Sequence, residues 1–258
     1  MAESIYLPII VAPFIGSFLC VVVLRLPTGL PVIVARSACS SCTTPLSPIE
    51  LIPIVSFLAQ GGKCRRCHAR IDGIHLLMEL AAISVVLVPL GLIRLNHSSG
   101  TTALETIWLG SLLGWWLLTT SIIDLRYQRL PDLLTLPLIA MGLFISAGHG
   151  IAYFCQNVLA ATIGYVFFRA TSRLYRHYRG EEGLGGGDAK LLAAAGAWVG
   201  LHALPYVVFW GACVTLCGII LFSRSPVQAK LAVPFGPGLG AAIWSMWLLQ
   251  DFHVVGQQ

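Results

Sequence analysis

Glu181-Glu182-Gly183-Leu184-Gly185-Gly186-Gly187-Asp188-Ala189-Lys190 is a glycine-packed loop that delivers one aspartate onto the start of an apolar segment running from Ala189 to Leu201. A carboxylate at the edge of hydrocarbon is costly unless it has a partner or a task. One other site in the chain is similar. Asp124 closes the apolar run Ile107 to Ile123 and is followed by Arg126, Arg129 and Pro131. Read singly, each acid fits an interfacial residue at a helix end, with Asp188 as a helix N-cap. Read together, they make a candidate proton-sharing pair. Gly185, Gly186 and Gly187 strengthen that second reading, because glycine takes up positive φ without steric cost and lets another backbone come close. A flexible linker is also glycine-rich, but it does not usually end in an acid followed at once by a hydrophobic helix.

The rest of the composition sets the solvent. Of 258 residues, 57% are hydrophobic and only 10% charged, with a mean hydropathy of +0.82, far from the usual balance of a soluble domain. Apolar runs long enough to cross a bilayer number about 17 to 25 residues. Eight candidates follow: Ile5 to Leu24, Ile74 to Leu95, Ala103 to Ile123, Leu133 to Ala147, Ile151 to Thr171, Ala189 to Leu201, Leu204 to Phe222 and Leu231 to Leu249. The fold expected is therefore all-α, a polytopic membrane helix bundle of about eight transmembrane helices. Its parts are a first span at 1–24, a loop domain at 25–73 and a core at 74–258.

Basic residues orient the spans, since Lys and Arg collect on cytoplasmic loops. Fifteen of the sixteen lie at or beside the loops after the first, third, fifth and seventh spans, leaving Arg94 on the other side. Both termini then lie outside, and Asp124 and Asp188 share the cytoplasmic side. The net charge of +5 is accounted for by topology and carries no nucleic-acid signal. Ile5 to Leu24 lacks a basic segment before it and runs into Arg25, which reads as a retained anchor.

Residues 25–73 hold four of the eight cysteines, as Cys39-Ser40-Ser41-Cys42 and Cys64-Arg65-Arg66-Cys67. Two C-x-x-C pairs at this separation suit one tetrahedral zinc, each pair offering two sulfurs. Disulfides are the competing reading, disfavoured in a reducing compartment. Four protein ligands leave no position for a reacting water, so such a zinc is structural and folds a loop with little core of its own. Cys20, Cys155, Cys213 and Cys217 read as small buried hydrophobes. Glu79, inside the second span, is by default a functional candidate, but a place so near the start of the span also fits a bonded interfacial residue, and with no visible partner it is given only a supporting place. Arg169, Arg173, Arg176 and Arg179, interleaved with Tyr175 and Tyr178, suit anionic headgroups. The stretch Val233-Pro234-Phe235-Gly236-Pro237-Gly238-Leu239-Gly240 is a proline-kinked, glycine-opened span start of the kind that lines cavities.

Two adjacent carboxylates cannot both ionise easily and so hold one proton between them. One then serves as general base on a water while the other hydrogen-bonds a scissile carbonyl.

At this point the chain resembles a known family. Gly185-Gly186-Gly187-Asp188 matches the GxGD motif of intramembrane aspartyl proteases. The two C-x-x-C pairs, Asp124 with Leu130-Pro131, Gly16-Ser17-Phe18-Leu19 with Arg25-Leu26-Pro27, and Pro234-Phe235-Gly236-Pro237 are together similar to the type IV prepilin peptidases. The resemblance implies that Asp124 and Asp188 cut the basic leader from prepilins or type II secretion pseudopilins at the inner membrane. It also implies that the same chain methylates the new N-terminus with S-adenosylmethionine. The chain departs from the family pattern at Cys20, where asparagine is expected, at Asp132, and at Thr43 and His68, where each knuckle usually carries glycine. No residue can be assigned to S-adenosylmethionine from spacing. Two other classes remain open. A transporter would use intramembrane acids and broken helices around a midplane site. A non-enzymatic anchor would use the zinc loop for docking and leaves the aspartates without a role.

Overall fold

The computed structural model describes residues 2–34, 36–95, 101–180, 185–222 and 234–255; side chains at 2–5, 101–102, 222 and 251–255 are not described. Residues 181–184 of the glycine loop, Val233 with the start of the eighth expected span, Arg224, Lys230 and positions 96–100 lie outside the described residues. Eight α-helices are present among those described: α1 (Ala2–Arg25), the short α2 (Val55–Ala59), α3 (Ile74–Leu95), α4 (Thr101–Tyr127), α5 (Asp132–Gly148), α6 (Ile151–Arg179), α7 (Gly186–Phe222) and α8 (Gly236–Val255). Five of them, α1, α3, α4, α6 and α7, are long and apolar enough to cross a membrane, and α5 is a shorter apolar helix. The only β pairing among the described residues is two isolated bridges. The chain divides into two compact units, residues 1–115 and 116–258, so that α4 begins in one and ends in the other.

In the first unit α1 packs on α3. Gly16 makes the contact possible: a Cβ there would stand 2.6 Å from the Met78 carbonyl oxygen and 2.7 Å from the Glu79 Cα. The two helices run antiparallel, and Arg94 at the far end of α3 donates to the Tyr6 hydroxyl near the start of α1, at 2.9 Å. This pairing gives the one basic residue on the unexpected side an aromatic and polar anchor. Trp115 closes the unit by donating from its indole N–H to the Ala82 carbonyl at 2.9 Å.

Between α1 and α3 lies the cysteine-bearing loop, which contains two 3₁₀ turns, Leu26–Thr28 and Pro48–Leu51, and α2. The second turn carries a reciprocal capping box between Ser47 and Glu50. The Ser47 N–H and hydroxyl, reinforced by the charges of Arg65 and Arg66, hold the Glu50 carboxyl below its usual range.

In the second unit α6 packs on α7 through two glycines. A Cβ at Gly196 would lie 2.4 Å from the Ala160 carbonyl carbon, and one at Gly164 would lie 2.8 Å from the Leu192 oxygen. Small residues at such crossings are what lets membrane helices approach, where no hydrophobic drive separates helix from lipid.

The expected sixth and seventh spans form α7, which breaks at Gly200 (φ 73, ψ 179). This conformation is essentially restricted to glycine. The chain reverses here. Gln250, near the end of α8, reaches the Val199 carbonyl, while Gly211 and Thr215 lie against Gly238 at the start of α8. With α7 counted as its two antiparallel arms, the long helical segments match the eight spans expected.

The backbone oxygens freed at the break are met by side chains. Asn157 of α6 donates to the Ala197 carbonyl at 3.1 Å, and Gln250 to that of Val199 at 3.1 Å. A buried break is tolerated on this condition.

The lone cysteines behave differently from the expectation. Cys20 is buried, but Cys155 and Cys217 are exposed on their helices. On a membrane helix the outward face is apolar too, so hydrophobic character alone does not select the inward one.

Candidate active site and metal centre

Asp124 and Asp188 both belong to the second unit, and the structure brings them together. Asp124 lies in the last turn of α4 and is 6% exposed. Its Oδ2 accepts the backbone N–H of Gly236 at 2.9 Å. A Cβ at Gly236 would stand 2.7 Å from that oxygen, so glycine is needed for the backbone to reach the carboxylate. Asp188 lies in the first turn of α7, accepts the N–H of Gly185, and feels the charge of Asp124 directly.

The loop glycines act by close approach, which corrects half of the expectation made for them. Gly185, Gly186 and Gly187 are absent from the positive-φ residues. Instead, a Cβ at Gly187 would meet Leu130 Cβ at 2.6 Å, one at Gly185 would come within 3.2 Å of Asp188 Oδ2, and one at Gly186 would lie 3.5 Å from Arg169 Nη1. Leu130-Pro131 and the glycine loop therefore interlock beside the acids.

Two contacts at this site escape any reading of local pattern. Gly236 is 112 residues from Asp124. The ion pair of Lys190 with Asp132 joins positions 58 residues apart and ties the start of α5 to the start of α7. Asp132 is not the N-cap its position suggests. Pro131 occupies that place, and the Asp132 side chain is engaged by Lys190. The expectation that the stretch around Pro234 to Gly240 walls the site had already marked the region of Gly236.

In the first unit the sulfurs of Cys39, Cys42, Cys64 and Cys67 all lie within 4.8 Å of one another. Cys39 and Cys67 Sγ are 3.7 Å apart. A tetrahedron with bonds of about 2.3 Å has edges of about 3.8 Å, so the cluster fits a thiolate-bound metal ion.

Two knuckles of the same shape produce it. In the first, the Thr43 N–H donates to the Cys39 carbonyl and the Cys39 N–H to that of Thr44. In the second, His68 donates to Cys64 and Cys64 to Ala69. Each knuckle turns on a left-handed residue, Thr43 (φ 55) and His68 (φ 56).

The thiols are unequal. Hydrogen bonds from the Thr44 hydroxyl and backbone bring Cys42 down to about 6. Against the Ala69 hydrogen bond, which acts in the opposite sense, desolvation and the neighbouring sulfurs push Cys67 up to about 11. Four sulfurs this close do not all ionise unless a cation stands among them, which is the condition a bound metal meets.

Comparison with known proteins agrees with this division of the chain. Residues 111–221 match the type IV leader peptidase family, and residues 10–91 match the bacterial peptidase A24 N-terminal domain. The chain is 36% identical to a prepilin leader peptidase/N-methyltransferase of Aeromonas salmonicida (strain A449), covering 92% of this chain and 88% of that protein. It is 33% identical to the protein of the same description from Pseudomonas aeruginosa (94% and 89%) and 33% identical to that from Neisseria gonorrhoeae (83% and 71%). No solved structure matches. With relatives this similar along nearly their whole length, and with each unit matched by its own family model, the chain belongs to the type IV leader peptidase family.

Proposed function

We propose that this protein removes the leader peptide of type IV prepilins or type II secretion pseudopilins and then methylates the N-terminus it exposes. Asp124 and Asp188 are the catalytic residues. The observation that carries this reading is the pairing of a buried carboxylate, Asp124, with the part-buried Asp188 beside the loop glycines, Asp124 being held by the Gly236 N–H.

One carboxylate takes a proton from a water as the oxygen attacks the scissile carbonyl. The other, carrying the shared proton, donates a hydrogen bond to the carbonyl oxygen as it gains charge. The tetrahedral adduct collapses as a proton passes to the departing amide nitrogen, so one water is consumed and no covalent intermediate forms. Both acids lie at the cytoplasmic side of the inner membrane in this reading, where the basic leader of a substrate helix would present its peptide bond.

Cys39, Cys42, Cys64 and Cys67 hold one zinc, which fixes the fold of the loop and supplies no reacting water. Metal analysis of the purified protein is expected to find about one zinc per chain, as four thiolate ligands require. A metal-free preparation with its loop intact would exclude zinc.

Mass spectrometry of a purified prepilin after incubation with the enzyme and S-adenosylmethionine tests both reactions at once. Asp124→Asn and Asp188→Asn should each lower the cleavage rate by about 10³-fold or more, with the double variant little worse than either, as for residues that act as one unit. An Asn pair that still cut the leader would refute the mechanism.

A further inference from the structure

The first unit contains a cavity of about 580 Å³ between α1, α3 and the cysteine loop, within the size range of small-ligand sites. Its walls are mixed: Glu79, Asp72 and His75 from α3 and the turn before it, Ser17 and Arg25 from α1, and the Phe57 ring from α2. Most of the charged groups are already engaged. Asp72 caps α3 by accepting the Ile74 N–H at 3.0 Å, and Arg25 donates to the carbonyls of Pro31 and Arg36.

Glu79 stands apart. It is 5% exposed, and its Oε2 accepts the Ile54 N–H at 2.6 Å. The Ser17 hydroxyl is its other partner, and no lysine or arginine charge among the described residues acts on it. A buried carboxylate without a cation is expensive.

Its surroundings are also strained in its favour. Ile54 takes φ 62, ψ −55, and the Val55 N–H returns to the Pro53 carbonyl at 2.6 Å. The result is a γ-turn of the rare positive-φ kind, which aims the Ile54 N–H at Glu79. Gly16 lets α1 come close enough to put Ser17 on the same carboxylate. Strain of this sort concentrates at binding and catalytic sites.

We propose that this cavity binds the methyl donor S-adenosylmethionine, with the Glu79 carboxylate facing the sulfonium; the assignment rests on the methyltransferase reading given above. A sulfonium is a cation that cannot be neutralised by losing a proton, which is the counter-charge Glu79 lacks. In the transfer, the lone pair of the N-terminal amine attacks the methyl carbon and the C–S bond breaks with its electron pair left on sulfur. The ammonium so formed gives a proton to water. The sulfur becomes a neutral thioether, so the product loses its attraction to Glu79 and is released more easily than the donor.

Binding of S-adenosylmethionine and of S-adenosylhomocysteine to the purified full chain, measured by calorimetry, tests the charge argument directly. Glu79→Gln should weaken S-adenosylmethionine by at least tenfold and S-adenosylhomocysteine by clearly less, because only the former carries the sulfonium. Equal losses for both would overturn the sulfonium assignment, and no loss for either would overturn the cavity. Photo-crosslinking of tritiated S-adenosylmethionine to the unaltered chain needs no variant to fold. Label mapping to peptides between Ser17 and Glu79 supports the site, and label confined to residues 116–258 refutes it. Binding of neither ligand by the unaltered chain would refute the methyltransferase reading itself.

Discussion

A single methyl group at position 236 would collide with the Asp124 carboxylate, since the added Cβ would lie 2.7 Å from Oδ2 and 3.1 Å from Cγ. Gly236→Ala should therefore turn the carboxylate away from its N–H donor and lower kcat for leader cleavage by at least tenfold, with KM and helix content little changed; steady-state kinetics with circular dichroism check this. The two knuckles offer a test of opposite sign. Thr43 and His68 occupy the left-handed region, where a side chain costs about 1–2 kcal/mol. Thr43→Gly and His68→Gly should each stabilise the loop by about 1 kcal/mol, read as slower release of metal to a competing chelator. Asp124, Asp188 and the four knuckle cysteines were legible in the sequence because their chemistry is rare in its setting: acid at the edge of hydrocarbon, and thiols at metal-binding spacing. The long-range contacts that hold the two sites were not legible. The Gly236 N–H, the Lys190 to Asp132 pair and the Ile54 N–H on Glu79 join positions 112, 58 and 25 residues apart; the two backbone donors leave no mark on side-chain pattern, and the ion pair joins residues whose separation follows no local period.

At the scale of elements, α7 shows how a span can be short. From Gly186 to Val199 its first arm is about 21 Å long at 1.5 Å per residue, less than the hydrocarbon core of about 30 Å. The arm compensates by starting ahead of Asp188 and by packing its whole length inward; Leu191, Leu192, Ala194, Ala195 and Ala197 are all buried. The run of small residues from Ala193 to Ala197 is what lets α6 approach it. The reversal depends on Gly200, whose φ of 73 with extended ψ no L-residue adopts without strain. Gly200→Ala should cost about 1–3 kcal/mol, lowering the thermal midpoint in detergent. Asn157→Ala should cost about 1–3 kcal/mol by orphaning the Ala197 carbonyl. The two losses should fall short of additive in the double variant, because both act on one break. Additive losses would mean that Asn157 does not serve the reversal.

For the whole molecule the decisive quantity is which side each loop faces, because cleavage requires both acids to meet the same compartment. The structure contributes one constraint: with α7 turned back at Gly200, its start and the start of α8 lie beside Asp124 and Asp188, and Thr215 of its second arm has returned to lie against Gly238. The basic residues contribute the other, since Arg169, Arg173, Arg176 and Arg179 precede that end and the turn at 148–150 carries none. In the orientation proposed above, which follows the positive-inside rule, the end of α6 faces the cytoplasm and the turn between α5 and α6 the outside. Labelling of single introduced cysteines in the full chain separates these faces, using a Cys155→Ala, Cys217→Ala background to remove the thiols exposed on the helices and the same background without an introduced cysteine as the reference for Cys67. A membrane-impermeant maleimide should label Gly148→Cys, where an added side chain meets nothing within 4 Å, in intact cells. It should label Tyr178→Cys, at a position 78% exposed, only after the inner membrane is permeabilised. The reverse pattern would place the two acids outside, away from any substrate leader still held in the cytoplasm, and leader cleavage would then have no access to its peptide bond.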